Sequence, residues 1–355
     1  MASLANEITV SVIIPVYNGG ENFRSCLSSV TRAMPPADEI IVIGDGDTDG
    51  SAQLAETFGI RVLRTPTRNG PASARNLGAR LAQGEILFFV DADVTLLPDA
   101  MGQVKTLFQV QTELAAVFGS YDDKPAEQNF LSRYKNLFHH YVHQISNEEA
   151  STFWAGCGAI RRKIFMELGG FDESYKKPCI EDIELGYRMK RAGCRIRLLK
   201  TLQVKHLKHW GIISLIKSDF FDRALPWTEL ILRDRQFVND LNLRFSSRLS
   251  VVFTYCLLLT LIGGLWWPGF FLVSCGLILF LLILNAPVYR FFLQKQGLGF
   301  MIRILPWHWL YYFYSGLAFI IGLGRSLLFR QRSQKPKFSS SLKRIPDPAQ
   351  PLENP

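Results

Sequence analysis

This sequence predicts an α/β domain built on a parallel-dominated sheet, followed by helices that lie in a membrane. Three observations lead to that class. Short runs of β-branched residues alternate with stretches of helical spacing over the first half. No charged residue occurs from position 249 through 289. The 40 Lys and Arg exceed the 31 Asp and Glu, and much of the surplus sits beside apolar segments. That placement argues against nucleic acid as the partner, and the composition excludes an acidic, aromatic-poor disordered chain.

The strands follow in order. ITVSVIIP at 8–15 is β-branched and closed by proline, and EIIVI at 39–43 repeats the pattern. IRVL at 60–63 is a weaker third, and ILFFV at 86–90 is the most apolar. Between them, 21–31 and 51–58 have helical spacing. Strands apolar on both faces suit a sheet covered by helices on each side.

The second half changes solvent. As one helix, 249–285 would span roughly 55 Å, nearly twice a bilayer core. GGLWWPG at 263–269 interrupts it with turn residues and paired tryptophans that suit a membrane interface. Two spans are expected. Arg244 and Arg248 precede them, and Arg290, Lys295 and Arg303 follow, so both ends read as cytoplasmic. A third apolar segment, 304–324, either spans or is re-entrant; spanning would export the most basic part of the chain. Positions 212–233 mix apolar residues with Lys217, Arg223 and Arg233, as an interfacial helix would. The Ser-, Pro- and Lys-rich tail reads as disordered, lying on anionic lipid or simply solvated. The expected division is 1–215 catalytic, 216–248 interfacial linker, 249–328 membrane region and 329–355 tail.

Six cysteines (Cys26, Cys157, Cys179, Cys194, Cys256, Cys275) form no CxxC pair and read as small, mostly buried hydrophobes. MASLANEITV lacks a basic region followed by an apolar core, so no cleaved signal is expected and the first domain should face the cytoplasm.

The candidate chemistry begins at Asp91-Ala92-Asp93, directly after the most apolar strand. Two carboxylates at the C-terminal end of a buried strand sit where open α/β sheets bind ligands. Mg²⁺ or Mn²⁺ held by such a pair and by substrate phosphates is one reading, and a solvated turn the other. GDGDTDG at 44–50 follows the second strand; an Asp there can accept from a base N–H or merely shape a turn. GPASARNLG at 70–78 sets Arg75 near a helix start, and IEDIELGYR at 180–188 opens a helix with acidic residues. His139, His140 and His143 read as a solvated helix face in preference to a metal site.

Taken together and in this order, these elements resemble the family-2 glycosyltransferases, which have the GT-A fold. The resemblance covers about 8–215 and rests on SVIIPVYNGG, GDGDTDGS, GPASARNLGAR, DAD, WAGCGAIRRKIFMELGGFDE and IEDIELGYRMKRAG. It implies that Pro15 and Tyr17 flank the nucleotide, Asp45 reads the base, and Arg75 lies near the nucleotide. It implies that Asp91 and Asp93 form the diphosphate and metal motif, with Asp93 the more direct ligand. Trp154, Gly156 and Cys157 would line the acceptor side. Asp182 would be the general base, with Glu181 orienting it, raising its pKa, or acting as a cap. His206 resembles a histidine that some relatives use near the metal, or else makes a structural hydrogen bond. Many relatives have two consecutive aspartates where this chain has Gly44-Asp45, and Asp47 replaces the usual serine, which leaves the nucleotide base open. Asp222-Arg223-Ala224-Leu225-Pro226-Trp227 loosely resembles the RW-containing motif of processive relatives without its full pattern.

The expectation is therefore a multi-pass, membrane-anchored, inverting transferase facing the cytoplasm. It would take a nucleotide-diphospho-sugar and a lipid or lipid-linked acceptor, in contact with membrane lipids. Its rivals are a catalytically idle membrane scaffold that kept the fold, a nucleotidyltransferase and a transporter. The nucleotidyltransferase would want a basic loop where VYNGG stands, and the transporter an intramembrane acid.

Overall fold

A computed structural model describes residues 7–235 and 237–329; the tail beyond them, read above as disordered, lies outside the described residues. The strands are β1 (Val10–Val16), β2 (Glu39–Asp45), β3 (Arg61–Thr65), β4 (Ile86–Val90), β5 (Val94–Leu96), β6 (Leu114–Tyr121), β7 (Cys157–Arg161) and β8 (Arg195–His206). They form one sheet in the order β3-β2-β1-β4-β7-β6-β8-β5. The helices around it are α1 (Gly20–Thr31), α2 (Ser51–Thr57), α3 (Pro71–Leu81), α4 (Ala100–Val110), α5 (Phe130–Ile145), α6 (Arg162–Glu167) and α7 (Glu181–Arg191).

The expected parallel sheet is present in β3, β2, β1 and β4. Beyond them β6 and β8 also pair parallel, but reversed strands intervene. β7 runs antiparallel to both β4 and β6, and β5 antiparallel to β8, so the sheet is mixed. These reversals build the site. Antiparallel pairing sets the start of β7 against the end of β4, with Cys157 opposite Val90. It likewise sets the end of β8 against β5, with His206 opposite Val94.

Period-2 alternation fills both faces. Val12 and Ile14 pack on one side with Phe23, Leu27 and Phe88. Ile13 packs on the other with Leu87, Phe89 and Phe165. Burial on both faces is why these strands read as unbroken apolar runs. All six cysteines are free; Cys26, Cys157 and Cys194 are buried, and Cys275 is exposed.

A second group of helices follows: α8 (Ile212–Lys217), a π-helical turn at Ser218–Ala224, α9 (Leu225–Asp234), α10 (Phe245–Gly263), α11 (Gly269–Leu284), α12 (Ala286–Gln296) and α13 (Leu298–Phe329). Among the described residues α10 alone is long and apolar enough to cross a membrane. The number becomes two if α11 and α12, bent by 64° at Asn285, make one span. The third apolar segment is not a re-entrant turn but the middle of α13, an uninterrupted helix that contains Pro306. The outward faces of α10 and α11 are bare, with Leu259 69% and Leu272 79% exposed, and Trp266 and Trp267 project from the turn between them. Continuous exposed apolar surface of this kind marks a partner or a membrane.

Candidate active site

Asp91 and Asp93 leave the C-terminal end of β4, and neighbouring strand ends close around them. The Asp91 N–H donates to the Gly156 carbonyl at 3.1 Å, and the Leu207 N–H donates to the Asp93 carbonyl at 2.8 Å. The turn is thus fixed by the segments before β7 and after β8.

Arg75, buried on α3, is the hub. Its guanidinium donates to Asp91 Oδ1 at 2.6 Å and to Glu181 Oε1 at 2.8 Å. Burial opposes its charge, yet Asp91, Glu181 and Asp182 outweigh that and hold the proton more firmly than usual. Both terminal nitrogens serve carboxylates, so Arg75 positions these two acids. Glu181 falls within its expected alternatives, standing beside Asp182 and raising its pKa. It is buried, paired with Arg75, and accepts the Cys179 N–H at 2.9 Å. It is a positioning residue beside Asp182.

Asp182 lies at the start of α7, where it accepts the Ala155 N–H at 3.1 Å and its own helix's Ile183 N–H at 2.8 Å. Burial, and then the charge of Glu181, push its carboxyl up to about 7; the two N–H donors and Arg75 offset part of this. A carboxylate tuned to that range is suited to taking a proton near neutral pH.

His206 stacks on Tyr121 with ring centroids 4.5 Å apart and a 10° interplanar angle. Its Nδ1 meets Asn136 Oδ1 at 3.0 Å, which leaves Nε2 facing Asp93 Oδ2 at 3.5 Å. Burial works against ionisation of Asp93, but His206 and Lys208 outweigh it and hold the carboxyl below the ordinary range. Among the described residues no three His, Cys, Asp or Glu converge on a metal position. Asp93 and His206 nonetheless fit Mg²⁺ or Mn²⁺, since such ions take one or two protein ligands and complete their shell with phosphate and water. Asp91 has one oxygen committed to Arg75 and is the weaker candidate.

On the nucleotide side, Pro15 is half-buried at the end of β1 opposite Ile43. Tyr17 is 41% exposed, with the Arg68 guanidinium 4.0 Å above its ring. Asp45 ends β2 on the same edge of the sheet. It is 4% exposed, its Oδ1 accepts from the Asn69 N–H at 2.8 Å, and its Oδ2 from the Gly70 N–H at 2.8 Å. It anchors the loop that lies across Gly46, where a Cβ would come within 2.6 Å of the Arg68 nitrogen. Asp45 therefore shapes this pocket by holding the loop.

The acceptor-side residues separate. Trp154 packs edge-on to Tyr121 at 5.1 Å and lines the site. Gly156 lets that indole lie down, because a Cβ there would be 2.6 Å from the ring. Cys157 is corrected: it is fully buried within β7 among core residues, and burial drives its thiol pKa far upward. Gly156→Ala is expected to tilt Trp154 and cost about 1–3 kcal/mol of stability through overpacking. Thermal unfolding and near-ultraviolet circular dichroism would check it.

His139, His140 and His143 do not form a solvated face. His140 and His143 are buried, and the imidazoles of His139 and His143 lie 4.1 Å apart against Trp154. Burial favours the neutral forms of His139 and His143, taking His143 down to about 4. His139 and His143 face β6 and Trp154, and His140 stacks on Phe291 of α12, which the apolar spacing of α5 alone does not reveal.

One cavity of about 790 Å³ joins Arg75, Asp91, Trp154, Glu181 and Asp182 to the later helices. It begins at Asp91, Trp154 and Asp182, and ends between α10 and α13 at Tyr255, Gly316 and Ile320. The sequence reading missed this continuity. Gly316, where a Cβ would lie 2.4 Å from the Tyr255 ring, was its only local sign.

Residues 11–169 match the profile of Glycosyl transferase family 2, and 137–210 match that of the N-terminal domain of galactosyltransferase. The chain is similar to the uncharacterized glycosyltransferase YibD of Escherichia coli (strain K12), 38% identical over 103 residues, which are 28% of this chain and 30% of that protein. It is also similar to glycosyltransferase GlyG of Streptococcus pneumoniae, 33% identical over 119 residues, 32% of this chain and 38% of that one. The chain thus spans less than half the length of these curated relatives. Among solved structures, the mannosyltransferase PcManGT from Pyrobaculum calidifontis, in complex with GDP-Man and Mn²⁺, superposes with a TM-score of 0.53 at 15% identity, over 92% of this chain and 89% of that one. Staphylococcus aureus TarS 1-349 gives 0.50 at 16% identity, over 91% and 92%.

Proposed function

We propose that this chain, whose residues 11–169 match the profile of Glycosyl transferase family 2 and whose fold resembles that of a mannosyltransferase, moves a sugar from a nucleoside diphosphate to a hydroxyl of a lipid or lipid-linked acceptor, with inversion. One observation carries the acceptor: the cavity that starts at Asp182 ends between two apolar helices. A water-soluble acceptor gains nothing from such a floor, whereas a lipid chain is stabilised by burying its methylenes there, at about 0.8 kcal/mol each. The exposed faces of α10 and α11 would lie in the bilayer and anchor the catalytic domain at its cytoplasmic surface.

Departure of the nucleoside diphosphate concentrates negative charge near Asp93. When bound there, with His206 as its second protein ligand, a divalent ion would supply Lewis-acid stabilisation of that charge. The fold neighbour that carries GDP-Man with Mn²⁺ supports this choice of ion. Asp182 accepts the acceptor's hydroxyl proton as the oxygen attacks the anomeric carbon from the face opposite the diphosphate. Arg75 keeps Asp91 and Glu181 fixed around that path, and Trp154 walls the acceptor.

The test is release of UDP or GDP from a panel of nucleotide sugars by the full chain in detergent, with membrane lipid extract added. Turnover of one donor with Mn²⁺ is expected, abolished by EDTA. Asp93→Ala should lower it by about 10³, as several kcal/mol of charge stabilisation requires. If no donor binds, the idle scaffold stands instead.

A further inference from the structure

Helix α5 meets the Asp93 end of the site at His206. Two contacts fasten that helix to the segment after β8. Ser132 Oγ accepts the Trp210 N–H at 2.7 Å, and Asn129 donates to the Trp210 carbonyl at 2.8 Å. One turn further on, Lys135 is tied to Asp219, and Asp219 to Tyr314 of α13. Asn136, 2% exposed, therefore stands at a fixed place beside His206. Tyr121 stacks on the imidazole and holds its plane.

The Asn136 amide then decides where the ring hydrogen lies. Its Oδ1, 3.0 Å from Nδ1, can only accept, so Nδ1 carries the hydrogen and Nε2 is left to offer a lone pair beside Asp93. Turning the amide over would bring Nδ2 to that place, move the hydrogen to Nε2 and close that nitrogen to a cation. The observed orientation has a cost. Asn136 Nδ2 is buried without a hydrogen-bond partner among the described residues, and an orphaned donor calls for a reason. The turned-over amide would give Nδ2 a partner and leave only a carbonyl oxygen short, which is the lesser loss. Hydrogen bonding within the protein therefore does not explain the choice, whereas a ligand for Nε2 does. Metal-bound histidines almost always donate their other N–H to such an acceptor, which fixes both ring and tautomer.

We infer that Asn136 is a positioning residue for the divalent ion: its carbonyl holds His206 with Nε2 open, so that the imidazole meets the ion already oriented. This rests on the reading of Asp93 and His206 as ligands and goes beyond it by naming the group that sets the imidazole up.

Mn²⁺ is the probe, titrated into the full chain in nonionic detergent with UDP in one arm and GDP in another. Electron paramagnetic resonance counts the free ion, and spin-echo modulation reads whether a nitrogen is bound to it. Wild type should bind Mn²⁺ with nitrogen coupling that His206→Ala lacks. Asn136→Leu keeps much of the volume but no acceptor, and should weaken Mn²⁺ by about 10–100-fold and diminish the coupling. Asn136→Asp also accepts from Nδ1–H and should restore both, which a merely structural role would not require. Undiminished affinity and coupling in Asn136→Leu would overturn the inference, as would an Asn136→Asp that melts like the wild type yet restores neither. Should Asn136→Leu fail to fold, ¹⁵N NMR of the wild type with Mg²⁺ and the nucleotide decides, with His206→Gln identifying the signals. A hydrogen on Nδ1 of His206 is expected, and an unprotonated Nδ1 sinks the proposal. If wild type binds Mn²⁺ without nitrogen coupling, His206 is no ligand and the inference falls with that reading. If Mn²⁺ binds in neither arm, the metal reading fails first and takes the inference with it.

Discussion

Asp182→Asn is expected to reduce kcat by roughly 10³ and, above pH 7, to raise the temperature of unfolding. The first effect follows from the role of general base, which contributes typically 10²–10⁴. The asparagine keeps the hydrogen bond from Ala155 but cannot take a proton. The wild-type rate should rise with pH and level off above about 7, where the carboxylate is ionised. Arg75, Glu181 and Arg223 face the same carboxylate and fix where that limb falls. The stability effect has the opposite sign. With a folded pKa near 7 against an ordinary carboxylate value, the folded state binds the proton more tightly than the unfolded one. The stability this contributes is complete below the unfolded pKa, near 4, and is lost as pH rises through 7. Asparagine has no charge to bury, so its advantage over the wild type should grow across that window and vanish at its acid end. Melting curves at pH 4.5 and 8, beside pH–rate profiles, check both claims. A flat profile between pH 6 and 8 would remove Asp182 from the role of base.

That a carboxylate would stand at 182 was legible in the sequence; what surrounds it was not. β1, β2 and β4 could be read because burial on both faces leaves apolar runs with no competing period. The DAD turn could be placed because it ends such a run. The antiparallel entry of β7 left no local trace, yet it brings Gly156 against Asp91. Arg75 was visible as a cation, but its partners lie 16 and 106 positions away, and only the fold decides between a carboxylate and a phosphate. The surroundings of Asp45 were hidden for a related reason. An Asp after a strand looks free until the loop at 67–70 folds over it. The three histidines misled in the other direction, since polar side chains on a helix read as solvated unless the strand and helix that cover them, here β6 with Trp154 and α12, are known. The cavity was illegible in principle, because its walls come from segments more than two hundred positions apart.

Arg75→Met tests whether the acids are held by charge or by packing. Methionine fills much of the volume and removes the cation, leaving Glu181 buried and Asp91 half-buried without their partner. Breaking a buried pair on one side costs about 3–5 kcal/mol, because the orphaned charge stays desolvated. At about 2–4 °C per kcal/mol for a domain of this size, the unfolding temperature should fall by roughly 10 °C. Arg75→Lys should recover part of the stability but little activity, since one ammonium cannot reproduce the fork that reaches both carboxylates. Two further readouts separate a positioning role from a merely structural one. Arg75 lowers the pKa of Asp182, so the residual activity of Arg75→Met should have its pH limb moved upward, while Arg75→Lys keeps it near the wild-type position. Adding Glu181→Gln to Arg75→Met removes one orphaned charge and should restore a few degrees of stability without restoring turnover. A melting temperature unchanged in Arg75→Met would mean that water already screens these carboxylates, and that the site is held open by the strand ends alone.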